Sequence, residues 1–138
     1  MGLFKPAWQS KKWDKAVEAV EELNDQIELA RVARDAPYYG ARRAAVRKLT
    51  DQSILAQVAK NDAEAMVRQN AVERLTDQSL LESIRLNDGN IEVCAAAHKR
   101  LSFLRTEERN KRIRLRVEEI QELTDQSLLA NIAKNDDA

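Results

Sequence analysis

Residues 49–62 read LTDQSILAQVAKND, and residues 123–136 read LTDQSLLANIAKND. The two stretches differ at three positions, each a conservative exchange. The first five letters of the motif, LTDQS, occur again at residues 75–79, and a degenerate form, LNDQ, begins at Leu23. Repetition at this length and fidelity indicates tandem repeats, and it decides how the rest of the chain is interpreted.

The repeats are spaced 26 residues apart over most of the chain. Leu23, Leu49, Leu75 and Leu101 follow one another at this interval, and the step from Leu101 to Leu123 is 22 residues. The motif is absent after Leu101. A fixed period of about 20 to 50 residues is typical of a solenoid, in which each unit packs on its neighbours.

Each unit carries two stripes of apolar residues at helical spacing. Leu55, Val58 and Ala59 stand at positions i, i+3 and i+4 after one motif, and Leu129 and Ile132 repeat this spacing after the last one. The Thr of each motif stands where a helix N-cap is expected, and the following Asp suits the first helical turn. Each unit is therefore predicted to be a hairpin of two short helices.

A unit of this size cannot bury both of its faces, so the units must stack and share a core. The sequence predicts an all-α fold: an α-solenoid, wound as a right-handed superhelix, of about four to five helical hairpins. The whole chain, residues 1–138, is interpreted as one such domain. Its predicted parts are a cap segment with a helix at 1–23, regular repeats at 24–49, 50–75 and 76–101, an irregular, shortened repeat at 102–123, and a half repeat at 124–138.

Two helix starts are expected after residue 102, one in the irregular repeat and one at the half repeat that follows it. Thr106 precedes two glutamates, after which Ile113, Val117 and Ile120 follow at spacings of 4 and 3. Thr124 repeats the N-cap position of the other units. A single long or bent helix is the alternative, because residues 90–123 contain no Gly or Pro that would enforce a break.

The pattern shared by the units, VRxxAVxxLTDQSLLxxIAxND, resembles bacterial HEAT-like repeats and the closely related leucine-rich variant repeats. The resemblance covers residues 13–136 and implies an α-solenoid adaptor whose partners differ from member to member. In such arrays an Arg follows the inner Val. Arg42, Arg68 and Arg116 hold that place here, whereas Cys94 departs from the pattern.

Composition excludes several classes of protein. The 23 basic and 23 acidic residues balance, which argues against a polybasic protein. Hydrophobic residues at 43%, with 3 Gly and 2 Pro, are too many for a disordered chain. No stretch approaches the roughly 18 apolar residues of a membrane span, so no membrane contact is expected. A soluble, cytoplasmic protein is predicted.

Cys94 and His98 are the single residues of their types and lie four apart. A thiolate beside an imidazole can bind a metal or act as a nucleophile, but no motif supplies the further ligands or the orienting acid. The favoured interpretation is a core His beside a small, apolar Cys. No catalytic, cofactor-binding or metal-ligating residue is predicted, and the chain is not expected to be an enzyme.

Two stretches carry dense positive charge. Residues 99–116 have eight basic residues against two acidic ones, and residues 39–49 have four basic residues and no acidic one. If the second helices line the concave face, as the resemblance implies, both stretches contribute to a basic groove for phosphate or for an acidic protein. The alternative is a solvated face, because no aromatic residues interleave these charges to stack bases. The candidate partner surface is Tyr38, Tyr39, Arg42, Arg43, Arg47, Arg68, Arg105, Arg109, Arg112, Arg114 and Arg116.

The aromatic residues concentrate near the start of the chain. Phe4, Trp8 and Trp13 are predicted to cap the first unit, and the tyrosine pair either anchors a partner or packs over the next unit. The array stops after one helix at the other end, which would allow a homo-oligomer to form there.

The repeats, and the lack of chemical motifs, favour a non-enzymatic scaffold or adaptor that binds an unidentified protein along the solenoid surface. The alternative is binding of nucleic acid or another polyanion through a basic groove formed by the second helices. No cofactor is predicted in either case.

Overall fold

The computed structural model describes residues 5–136, and helix accounts for 81% of them, with no strand in that range. A short 3₁₀ turn, Ala7–Gln9, precedes the first α-helix. The α-helices of the described range are α1 (Trp13–Glu22), α2 (Gln26–Asp35), α3 (Tyr39–Lys48), α4 (Gln52–Asn61), α5 (Ala65–Val72), α6 (Gln78–Asn87) and α7 (Ile91–Asp136). The predicted all-α class is confirmed.

The short helices pack as hairpins, and equivalent helices of successive hairpins are neighbours. α2 packs on α3 and α4 packs on α5, which are the two helices within a repeat. α3 also contacts α1 and α5, and α2 contacts α4. Each of the helices α2 to α5 therefore packs on its partner within the repeat and on the equivalent helix one repeat away.

The core is built from equivalent positions of successive repeats. Leu29, Leu55 and Leu81 are fully buried in the first helices, and Leu49 and Leu75 are fully buried just after the second helices. Burial of one leucine side chain stabilises the fold by roughly 1.5–3 kcal/mol. The apolar stripes predicted for residues 24–101 are thus confirmed as core positions.

The N-cap of each first helix is the Asp of the motif, one residue after the predicted N-cap. Asp25, Asp51 and Asp77 are the N-caps of α2, α4 and α6, and their carboxylates accept hydrogen bonds from backbone N–H groups of the first turn at 2.8 to 3.1 Å. The N-cap role predicted for Thr50 is wrong. Its backbone N–H and its hydroxyl group both donate to Gln26 Oε1 of the preceding repeat instead.

α7 is one continuous helix of 46 residues, so the helix starts predicted at Thr106 and Thr124 are wrong. Phe103 stands where the other repeats have the capping Asp, and Leu104 stands where they have the Gln that holds the next Thr. Without these two side chains nothing competes with the helical backbone. Thr124 Oγ1 donates to the carbonyl of Ile120 within the helix, at 2.9 Å.

The contacts divide the chain into two compact units, the first ending at Ser102 and the second beginning at Phe103. Within the second unit, Leu104 is half-buried and every other residue up to Asp136 is exposed. The burial expected for Leu129 and Ile132 is wrong, since they are 66% and 58% exposed.

Candidate interaction surfaces

Arg42 and Arg68 form a ladder between repeats. Arg42 donates from Nε and Nη2 to both carboxylate oxygens of Asp62, at 2.8 and 3.0 Å, and from Nη1 to the carbonyl of Ala36. Arg68 makes the same fork to Asp88, at 2.9 and 3.0 Å, and donates to the carbonyl of Asp62. Both arginine side chains are at most 16% exposed. They hold the repeats together, although the sequence placed them on a partner surface.

The ion pair between Arg68 and Asp88 shifts the pKa values of both groups. The hydrogen bond from Arg68 lowers the pKa of Asp88, and a further hydrogen bond from the backbone N–H of Asn90 acts in the same direction against the opposing effect of burial. The pKa of Arg68 is raised above its ordinary value, chiefly by its hydrogen bond to Asp88. Both groups therefore stay charged over the neutral range.

Cys94 occupies the ladder position of the third repeat. Its thiol donates to the carbonyl of Asp88 at 3.3 Å, the counterpart of the carbonyls that Arg42 and Arg68 engage, and it lies 3.8 Å from the carbonyl of Ile84. His98 is exposed, so the predicted core histidine is wrong. Its equivalents Val46 and Val72 are fully buried, whereas His98 lies in α7, which continues as one helix to Asp136.

A second ladder was missed in the sequence. Lys48 Nζ donates to the carbonyl of Leu23, Arg74 Nε donates to the carbonyl of Leu49 at 3.0 Å, and Arg100 Nε donates to the carbonyl of Leu75 at 2.8 Å. Each donor lies 25 residues after its acceptor, and the three donors are spaced by 26. That spacing was the available signal. These cations satisfy a backbone carbonyl where one repeat joins the next.

The Gln of the motif is a second missed connector. Gln26 Nε2 donates to the carbonyl of Lys48, and Gln52 Nε2 donates to the carbonyl of Arg74, at 3.0 and 3.1 Å. Gln52 Oε1 accepts from the backbone N–H and the hydroxyl group of Thr76, as Gln26 Oε1 does from Thr50. The motif therefore encodes a joint between repeats, in which Gln reaches forward to the next Thr.

The other candidates of the first unit have separate environments. The hydroxyl group of Tyr38 donates to the carbonyl of Lys11, which makes this half-buried ring a packing residue, whereas Tyr39 is 49% exposed. Arg43 is half-buried, with its Nε buried and lacking a hydrogen-bond partner, and Arg47 is exposed. Tyr39 and Arg47 are thus the candidates of this unit that solvent reaches most freely.

The predicted N-terminal cap is formed in part. Trp8 is 3% exposed, in the 3₁₀ turn that packs against α1, while Trp13 at the start of α1 is 69% exposed. Phe4 lies outside the described residues. The turn thus contributes one buried aromatic ring beside α1.

The remaining candidates, Arg105, Arg109, Arg112, Arg114 and Arg116, are all exposed on the part of α7 beyond Ser102. Arg112 Nη2 lies 3.5 Å from a carboxylate oxygen of Glu108, and Arg116 Nη1 lies 3.2 Å from one of Glu119. Both arginine side chains are more than 70% exposed, so these pairs add little to stability. The structure brings these residues together along one helix.

The second unit also exposes large apolar side chains. Ile113, Val117 and Ile120 are 54%, 59% and 52% exposed. Their spacings of 4 and 3 place them on one face of α7. Helical stability in proteins comes mostly from packing of an apolar face, and this face is more than half exposed. Sequence reasoning noted the spacing but assigned it to the interior of a repeat.

A groove of about 420 Å³ lies between α4 and α6. Lys60 and Arg68 line it together with Asp62 and Asp88, so its charge is mixed. No group of three or more His, Cys, Asp or Glu residues suited to a metal ion occurs within residues 5–136. None of the described helices is both long and apolar enough to cross a membrane.

The described residues define an all-helical protein in which helical hairpins recur every 26 residues. Comparison of the chain with protein-family models, with curated proteins and with solved structures finds no match.

Proposed function

We propose that the chain is a non-enzymatic, cytoplasmic adaptor in which HEAT-like hairpins stack as an α-solenoid and a long helix binds a protein partner. The observation that carries the proposal is the exposed apolar face of α7. Ile113, Val117 and Ile120 are each more than half exposed on a helix of 46 residues. A continuous apolar patch on the exposed face of a helix is characteristic of an interaction site.

The side chains of the first unit support a scaffold role. Arg42, Arg68 and the Lys48 ladder join one repeat to the next, and Cys94 donates to the backbone. These polar groups hold successive repeats in register. Stacked helical repeats present the extended surfaces on which repeat proteins bind their partners.

The test is a capture experiment from a native lysate with tagged full-length protein. The bait variants are Ile113→Glu with Ile120→Glu, which charge the apolar face, and Leu115→Glu as the control. Leu115 is 55% exposed on the same helix, about 200° around the axis from Ile113. We expect a protein retained by wild type and by the control, resistant to nuclease and moderate salt, and lost with the double variant. Equal retention by all three baits contradicts the proposal.

A second function, polyanion binding, is favoured by one observation. Five arginines between Arg105 and Arg116 lie exposed along a short part of α7. Phosphate contacts weaken linearly on a log–log plot of affinity against salt, whereas an apolar contact does not. Under this alternative Arg112→Glu with Arg114→Glu abolishes retention of nucleic acid. The matched control is Arg34→Glu with Lys60→Glu, which reverses two exposed charges in the first unit.

A further inference from the structure

Part of the exposed apolar surface of α7 forms a seam. Ile113, Val117 and Ile120, the apolar centre of this seam, have the 3-and-4 spacing of helix packing, and the spacing continues through Thr124 to Leu128, which is 56% exposed. A helix with apolar side chains at matching positions can pack on it.

The charges on either side of Val117 have opposite signs. The stretch from Arg105 to Arg116 contains six basic and two acidic residues. The stretch from Glu118 to Asp136 contains five acidic residues and one basic residue. All these side chains lie in the exposed part of α7. The helix is basic before the apolar centre and acidic after it. The whole chain has a net charge of 0, so no general repulsion keeps copies apart.

We propose that two copies of this chain pair through this part of α7, antiparallel, with the pairing centred near Val117. This inference rests on the proposed function, because it names the partner of the same apolar face. Antiparallel pairing sets the basic stretch of one copy beside the acidic stretch of the other. Parallel pairing would set like charges side by side, which disfavours that arrangement.

An ion pair within α7 is exposed enough to contact a second helix. Arg116 and Glu119 pair on one helix but are 72% and 60% exposed, so each can also meet an opposite charge of a second helix. The apolar centre supplies the burial and the flanking charges supply the orientation. A second copy in the antiparallel orientation provides both an apolar centre and flanking charges of opposite sign.

Sedimentation equilibrium of the purified full-length chain over a range of concentrations tests the pairing. We expect a monomer–dimer equilibrium, and a dissociation constant raised about 100-fold or more by Val117→Glu, which sets two buried carboxylates opposite each other. Leu115→Glu is the control, and it should change the dissociation constant by less than about threefold. Circular dichroism checks that both variants remain helical.

Disulfide trapping tests the orientation. In a Cys94→Ser background, chains carrying Asn110→Cys are mixed with chains carrying Thr124→Cys and oxidised. Pairing centred near Val117 brings position 110 of one copy beside position 124 of the other, so the mixed disulfide should dominate. Dominant 110–110 and 124–124 disulfides indicate parallel pairing and overturn the inference.

The outcomes separate this inference from the function on which it rests. A wild-type chain that stays monomeric at about 100 μM overturns the self-pairing. If Ile113→Glu with Ile120→Glu still abolishes capture of another protein, the adaptor function stands without it. If the purified chain is monomeric and capture does not depend on the apolar face, both proposals fail.

Discussion

Residues 49–62 and 123–136 share nearly the same sequence but have different structures. In the first stretch the chain leaves α3 before Thr50, Asp51 caps α4, and Leu55 is buried. In the second stretch the equivalent residues form the C-terminal part of α7, and Leu129 is 66% exposed. The comparison shows that the motif forms a repeat only when its neighbours supply the matching groups.

A missing neighbour accounts for the difference. Gln26 holds Thr50 in the first stretch, and no Gln stands at the matching place before Thr124, where the chain has Leu104. Asp125 is present but lies inside a helix, where it accepts a hydrogen bond from Gln121 at 3.2 Å. The capping side chain alone does not end a helix that has nothing else to stop it.

The largest effect expected from this comparison is in the core. Leu55→Ala should lower the free energy of unfolding by about 2–5 kcal/mol, because it removes a fully buried side chain and leaves a cavity. Leu129→Ala, the equivalent change, should lower it by less than about 0.5 kcal/mol. Urea unfolding at low protein concentration measures both. Equal losses would show that residues 123–136 pack like residues 49–62 in solution.

A smaller effect on the free energy of unfolding is expected at the capping position, and the two equivalent variants should differ in sign. Asp51→Ala should destabilise the protein by about 1 kcal/mol, since it removes the N-cap of α4. Asp125→Ala should be neutral or stabilising by about 0.5 kcal/mol, because Ala is the better helix former inside α7. Thermal unfolding of the two variants gives the comparison. A loss of about 1 kcal/mol at Asp125 would mean that a helix begins there.

The smallest effect is expected in acid. The pKa of Asp88 is lowered by Arg68, so the unfolded chain binds the proton more readily than the folded one. The stabilisation is complete above the unfolded value, about 3.9, and is lost as the pH falls through the folded value. In the Asp88→Asn variant this position no longer binds a proton in acid. The free energy of unfolding should therefore fall less steeply below about pH 4 than in wild type. An unchanged acid profile in this variant contradicts a role for the Arg68 fork.

Much of the fold followed from spacing alone. The 26-residue period and the apolar stripes predict the hairpins, because burial in a repeat array recurs at the same positions. The connectors were harder to find. In the sequence Lys48 and Arg74 look like ordinary surface cations. Their acceptors are backbone carbonyls, which every residue type has, so the accepting residue cannot be recognised from its identity.

The candidate site was predicted only in part. Arg42 and Arg68 were grouped with the exposed arginines because a charge count does not distinguish a solvated cation from one whose carboxylate lies 20 residues later. The structure of residues 123–136 was out of reach for a different reason. It depends on what stands at Phe103 and Leu104, while the motif itself is intact.

The ladder of Lys48, Arg74 and Arg100 has a consequence for how such a chain can change length. Each cation reaches a carbonyl 25 residues back, so a duplication or deletion of 26 residues carries a donor and an acceptor together. An insertion of one residue between a donor and its carbonyl changes their spacing, and within the helix that precedes the donor it rotates the donor by about 100° around the axis. Genetic insertions and deletions in this region are therefore expected to be tolerated in whole repeats.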